Sequence, residues 1–281
     1  MELNHRPVGV CSWSLKPANV DQLIAGLRTL GLSHLQLALG PLLDQSAGDR
    51  QTTLAKLRDA GITLTAGMIS FAGEAYTTID TIGRTGGIVP DEFWPARRDR
   101  VLAAGELAGE IGLGLLSFHF GFIPRQGSPT YDTLLNRASE LGRALAKHKI
   151  TALMETGQDD ATNALAFLTD TGLNNLGVNF DPANMILYGL DDPIHALQIL
   201  GPHVRHIHLK DAVASDRPRE TWGKEVAFGT GSLDHAAFFR TLEEIGYRGP
   251  YVIECECEHS HEASLKTVGA GLANLRKFVG E

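Results

Sequence analysis

The chain has 281 residues with 25 Lys and Arg against 33 Asp and Glu, a formal charge of −8, which argues against a nucleic-acid partner, since tracking a phosphate backbone takes a basic surface. With 43% apolar and 21% charged residues the chain reads as neither disordered nor membrane-spanning. Three cysteines are too few for a disulfide framework and no charged-then-apolar leader opens Met1 to Val10, so the expected location is the cytoplasm.

Short apolar runs then alternate with amphipathic segments to the C-terminus. A strand is expected over 8–14 (VGVCSWS), then a helix over 20–30 behind Asn19 or Asp21, a strand over 34–39 (HLQLAL) and a helix over 51–60. A strand over 62–69 (ITLTAGMI) is followed by the longest irregular stretch, Ser70 to Trp94, with Tyr76, Arg84, the Gly86–Gly87 pair and Pro90. Loops of this length are commonly functional, so it is read as a covering loop whose Tyr76 or Arg84 reaches a substrate, or else as an outer ornament or oligomer contact. Helix 95–111, strand 115–121 (LLSFHFG), helix 131–147, strand 150–156 (ITALMET) and helix 160–171 continue the pattern. Strand 176–181 (LGVNFD), helix 192–200, strand 204–210 (VRHIHLK), helix 234–245, strand 250–256 (PYVIECE) and helix 262–278 complete it. Gly31, Gly61, Gly112, Gly172, Gly201 and Gly246 follow helices, as left-handed caps do. Eight β-then-α units without a linker make one α/β domain over 1–281, a closed (β/α)8 TIM barrel. A doubly wound open sheet is the alternative, but no GxGxxG follows the first strand.

In such a barrel the chemistry sits at the carboxyl ends of the strands. Strand five ends in Glu155, strand six in Asp181, strand seven carries His208 and strand eight Glu254. Each alone reads as a helix cap, a surface charge or a core histidine. Together, three carboxylates and one imidazole from four successive strands form an oxygen and nitrogen set suited to one divalent metal ion, Mn2+ first, with Co2+, Mg2+ or Zn2+ as alternatives. Without a cation the clustered carboxylates would repel one another.

The chain resembles the xylose-isomerase-like TIM barrels of sugar and sugar-phosphate isomerases and epimerases. The resemblance rests on METG at 154–157, GVNFDPAN at 177–184, HIHLKDA at 206–212, FGTGSLD at 228–234 and GYRGPYVIECE at 246–256. It implies Glu155, Asp181, His208 and Glu254 as the ligands of one metal, with Glu155 and Glu254 doubling as acid and base. The ketose epimerases of that family carry a histidine three residues after the metal Asp, and here Asn184 holds that place; for their substrate-contacting arginine, Arg217 and Arg219 compete.

Further candidates remain open between two readings. His119 at the end of strand four is a substrate donor or a packing residue. His206, deeper than His208 on the same face, reads as its buried partner. Lys210 and Glu256 read as substrate contacts or rim charges, with Glu256 also a rival of Glu254 for the metal; Trp13 is a wall under a sugar ring or part of the core. Gly229-Thr230-Gly231 is a tight turn or a phosphate cradle. The tract Cys255, Cys257, His259, His261 resembles a second metal site, against which Cys255 is expected to face away from Glu254.

The activity expected is isomerisation or epimerisation of a small carbohydrate through an enediolate. The alternative is a lyase on the same site, as in the family's inosose and dehydroshikimate dehydratases. Repair of abasic DNA, as in the endonuclease IV group, would need three metals and a basic groove. A non-catalytic sugar-binding barrel is the remaining reading, and a homo-oligomer is compatible with all of them.

Overall fold

A computed structural model describes residues 1–280. Its eight parallel strands, numbered β1 to β8, are Arg6–Cys11, His34–Ala38, Thr63–Met68, Leu115–Phe118, Thr151–Glu155, Leu176–Phe180, Val204–Leu209 and Tyr251–Ile253. Each pairs with its neighbour in the chain, and β8 pairs with β1, Tyr251 opposite Val8, so the sheet closes on itself. The fold is the single (β/α)8 barrel expected. Its strands read as apolar runs because a parallel barrel buries them on both faces; β6 is buried at every position.

A helix follows each strand: Val20–Thr29, Ala47–Asp59, Trp94–Glu110, Pro129–Ala146, Ala161–Thr171, Pro193–Leu200 and His235–Glu244 return the chain to the next strand, and His261–Val279 follows β8. Asn19, Ser46, Ser128, Asp160, Asp192, Asp234 and Ser260 start seven of them, each accepting a first-turn N–H on its side chain, an interaction worth about 1 kcal/mol. Gly172 closes its helix at φ 62°, whereas Gly201 stays right-handed at φ −43° and leads into a 3-10 turn.

Three strands, β1, β4 and β8, stop three residues earlier than the apolar runs that announce them. β1 ends at Cys11, and Trp13 lies on a 3-10 turn, Ser12–Leu15, where Ser12 Oγ takes the Ala38 N–H. β8 ends at Ile253, beyond which Ser14 Oγ accepts the Cys255 N–H. In both places a serine hydroxyl supplies an acceptor where the ladder ends. Three further elements, unexpected from the sequence, also lie at the carboxyl ends of the strands. Helix Pro182–Tyr188 follows β6, and after β7 an antiparallel hairpin joins Asp211–Val213 to Lys224–Val226. The stretch from Ser70 to Trp94 is not wholly irregular: Thr78 caps a helix, Ile79–Thr85. Ile79 and Ile82 cluster with Tyr188 against Phe122, Leu190 and Trp222, apart from the barrel core. No helix among the described residues is long and apolar enough to cross a membrane.

Candidate metal centre

Glu155 is the last residue of β5, Asp181 and Glu254 directly follow β6 and β8, and His208 is the penultimate residue of β7. The barrel turns these four sequence positions into one buried group, with one ligand atom from each lying within 4.8 Å of the others. His208 Nδ1 stands 3.3 Å from Glu155 Oε1, 3.5 Å from Asp181 Oδ2 and 3.1 Å from Glu254 Oε2. None of these approaches has hydrogen-bond geometry, and His208 Nδ1, Asp181 Oδ2 and Glu155 Oε2 are buried without a partner. Ligands at about 2.1 Å from a shared cation stand roughly 3.0 to 3.4 Å from one another, so this donor set fits a divalent ion of the oxygen and nitrogen type. The orphaned atoms are the observation that makes the fit, since buried polar atoms without partners are costly.

Asp181 shows how the backbone sets up the centre. It caps helix Pro182–Tyr188, Oδ1 accepting from Ala183 N at 2.8 Å and Asn184 N at 3.0 Å, which aims Oδ2 at His208. Cap and candidate ligand are therefore one residue using two oxygens. Gly157 has φ 127°, and a Cβ there would meet Asn184 Cβ at 2.2 Å. Only glycine lets β5 pass this close to the helix. Asn184 then donates to Glu155 Oε1 at 3.3 Å.

Below the centre a polar chain crosses the barrel interior. Thr65 Oγ1 meets His206 Nε2 at 3.1 Å, and His206 Nδ1 meets Asn179 Oδ1 at 2.9 Å. Asn179 Nδ2 lies 3.0 Å and Gln36 Oε1 2.7 Å from His208 Nε2. Nε2 faces both the Gln36 oxygen, which only accepts, and the Asn179 amide nitrogen, which only donates. With Nε2 protonated toward Gln36, Nδ1 is the nitrogen turned to the carboxylates, where a bound ion would take the place of a proton. His206 is thus the buried partner expected, acting through Asn179. Gln36 was overlooked, although a glutamine inside the apolar run HLQLAL was a visible signal.

The charges follow this geometry. Burial opposes charge on His208, yet Glu254 and Glu155 hold its pKa well above the usual imidazole range. Burial opposes ionisation of Glu155 too, but His119 and His208 draw it down to about 2. Glu254 falls well below the ordinary range against the same penalty, through His208 and Lys210. Burial raises Asp181 and, with His208 beside it, lowers His206 to about 3. The centre attracts positive charge.

A cavity of about 650 Å3 opens above it. Trp13 lines it and donates to Glu254 Oε1 at 2.7 Å. His119 lines it with Nε2 3.3 Å from Glu155 Oε2 and Nδ1 2.8 Å from the Tyr76 hydroxyl. Burial would lower His119, but Glu155 lifts it to about 9. Lys210 is buried and donates to Glu254 Oε2 at 2.9 Å and Glu256 Oε2 at 3.0 Å. Asn184 and Glu256 complete the sequence-derived residues that reach the cavity, Glu256 sitting at the exposed rim.

Three expectations are corrected. Arg217 does not reach the cavity, because it occupies the tip of the hairpin after β7, exposed beside Glu220. Arg219 bonds the carbonyls of Gly189 and Leu190 on the surface. Arg84 pairs with Asp80 on the exposed face of its helix. In the cysteine tract, Cys255 and Cys257 lie 3.4 Å apart, while His261 bonds the Leu15 carbonyl. Sequence reasoning also missed Glu74, Glu225 and Trp222, which the 70–94 segment and the hairpin after β7 bring to the cavity. Glu74 takes the N–H groups of Phe71 and Gly87, which ties two parts of the 70–94 segment together beside the cavity.

Known proteins fall into place around this geometry. A solved xylose isomerase domain protein from Planctomyces limnophilus is 35% identical, covers 98% of each chain and superposes with a TM-score of 0.86. A ketose 3-epimerase from Arthrobacter globiformis is 27% identical over 42% of this chain and 37% of its own. An inosose dehydratase from Lacticaseibacillus casei is 25% identical over 44% of each. This chain thus spans less than half the length of these two curated relatives. The profile described as xylose isomerase-like TIM barrel matches residues 24–278, nearly the whole chain, and the chain belongs to that family.

Proposed function

We propose that the chain is a metal-dependent sugar isomerase or epimerase that moves a proton on the carbon beside a carbonyl. The observation that carries this is the convergence of unpartnered buried atoms of Glu155, Asp181 and His208 beneath an open cavity. Glu155, Asp181, His208 and Glu254 would hold the ion, which when bound supplies a positive charge that polarises a carbonyl and its neighbouring oxygen. Glu155, whose Oε2 makes no hydrogen bond and has the His119 imidazole 3.3 Å away, is the better placed base. Glu254 is held by Trp13 and Lys210, and the Lys210 ammonium would supply the proton that Glu254 returns to carbon, the proton taken by Glu155 leaving to solvent. Lys210 and His119 are each already beside carboxylates, so stabilisation of an enediolate's negative charge would fall mainly to the ion. Return to the opposite face gives an epimer; return to the next carbon gives an isomer.

A lyase is the second reading, favoured by the similarity to an inosose dehydratase. It shares the first proton abstraction and then expels a β-substituent. Incubation with Mn2+ in D2O across ketoses, keto-inositols and 3-keto-glycosides, followed by NMR, separates the two. Deuterium at one carbon with retained composition means isomerase or epimerase, and loss of water or an alcohol means lyase. Glu155→Gln and Glu254→Gln should each lower exchange by about 10²-fold or more while metal stays bound. Near wild-type exchange in both would remove the glutamates from the acid and base roles.

A further inference from the structure

The next step rests on the function just proposed and concerns which sugars the cavity accepts. Among the described residues lining it, the cationic side chains are Lys210 and His119, and both are engaged. The Lys210 ammonium lies 2.9 Å from Glu254, 3.0 Å from Glu256, 3.7 Å from Asp181 and 3.9 Å from Glu225. His119 is held between Glu155 and the Tyr76 hydroxyl. Glu74, Glu155, Glu225, Glu254 and Glu256 all face the same space. With Asp181 these are six carboxylates against the four positive charges of Lys210, His119 and a divalent ion. Even with Glu225 lifted by burial to about 7, the balance stays negative and a phosphate dianion would enter a field of its own sign.

A second observation, away from the cavity, points the same way. Phosphate sites in these barrels are commonly built from the loops after strands seven and eight, where backbone amides cradle the anion. Here the amides of Gly229 and Gly231, in the segment between β7 and β8, donate at 3.1 and 2.8 Å to Asp211 Oδ2. Ala212 N and Leu233 N donate to Oδ1, and His235 Nε2 lies 2.8 Å from Oδ2. Asp211 is fully buried, and a Cβ on Gly231 would stand 2.2 Å from Oδ1. The cradle is therefore filled by the chain's own carboxylate.

The cavity offers an uncharged donor instead. Trp222 lines it, packs edge-on against Tyr188 at 4.6 Å between centroids, and keeps Nε1 buried without a partner. An indole presents both an apolar face and one N–H, which suits the C–H face of a sugar and a hydroxyl or ether oxygen beside it. We propose that the site takes an unphosphorylated sugar, with its carbonyl end at the metal centre and its far end against Trp222, whose Nε1–H donates to a neutral oxygen.

The test uses the metal-loaded full chain and matched probes: L-ribulose and D-fructose with their terminal phosphate esters, and a keto-glycoside with its phosphate ester. Exchange with D2O gives kcat/KM, and quenching of tryptophan fluorescence gives binding. Each parent sugar is expected to exceed its ester by about 10²-fold or more. Trp222→Phe keeps a ring and loses the N–H, so KM for the preferred sugar should rise about 5- to 10-fold with kcat within about twofold. An ester that is turned over or bound better than its parent overturns the inference, and exchange on that ester leaves the isomerase or epimerase reading standing. Exchange on none of the pairs removes that reading, and the binding comparison then decides the inference alone. Binding of neither member of any pair refutes both. An unchanged KM in Trp222→Phe removes Trp222 from recognition.

Discussion

Gln36→Met tests whether the barrel interior orients the metal centre. The substitution keeps nearly the same volume in a fully buried position but removes the oxygen 2.7 Å from His208 Nε2. The His208 N–H then loses its acceptor, and so does the Cys11 thiol, whose Sγ lies 3.3 Å from the same oxygen. Loss of a partner that fixes a ligating imidazole typically costs about 10- to 100-fold in metal affinity. In free-energy terms, metal at 100 times the wild-type Kd stabilises the fold by about 2.7 kcal/mol, which falls to about 1.4 after a tenfold loss and about 0.4 after a hundredfold loss. The metal-free variant should change less, because the Gln36 amide nitrogen is itself buried without a partner and its removal offsets part of the unsatisfied His208 N–H. Competition against a chelating dye gives the affinity, and urea unfolding with and without Mn2+ gives the two stabilities. A Kd within about twofold of wild type would refute the argument that Gln36 fixes the imidazole for a metal.

Tyr76→Phe removes the hydroxyl 2.8 Å from His119 Nδ1; KM should rise by about fivefold at unchanged metal affinity, and an unchanged KM would assign the 70–94 segment to structure alone. Asp159 offers a pH test away from the centre. Burial lifts its pKa to about 7, so the folded state binds the extra proton and stability falls as pH rises from about 4 to about 7, by up to about 1.4 kcal/mol per pH unit. Denaturation of Asp159→Asn across that window should show a shallower fall than wild type, and parallel profiles would refute the shift. Asp211→Ala strands four backbone N–H groups and His235 without their acceptor, and should cost about 3 to 5 kcal/mol in urea unfolding. Metal affinity of the folded variant should hold; a loss below about 1 kcal/mol would show that water replaces the carboxylate at little cost.

The barrel was legible because its strands are buried on both faces and its helices carry their own caps, so each unit announces itself within a window of about ten residues. The elements that escaped are short ones, among them the hairpin after β7 and the helices Gly40–Leu43, Ile79–Thr85 and Pro182–Tyr188. Too few turns or alternations fit into them to show a period. They also decide which loop residues reach the cavity. A lone tryptophan among the polar residues 214–225 was a signal for Trp222, whereas Arg217, five residues earlier, turns to solvent at the hairpin tip. Glu74 and Glu225 carried no local pattern, since only the folding of the 70–94 segment and of the hairpin brings them to the cavity.

Asp181 and Asp211 show what sequence reading leaves undecided at the centre itself. Both directly follow or lie just beyond a barrel strand, both are buried, and both bind backbone amides. Asp211 spends both oxygens on amides and on His235. Asp181 spends one and leaves Oδ2 facing His208 Nδ1 and Lys210. A carboxylate with all its acceptor capacity consumed is a structural anion, and no cation improves it. A buried carboxylate oxygen that makes no hydrogen bond beside three other candidate ligand atoms, with the Lys210 ammonium no nearer than 3.7 Å, still gains from a cation that reaches it directly. The count of amides around each oxygen, visible only after folding, is what separates the residue that closes a loop from the residue placed to hold an ion.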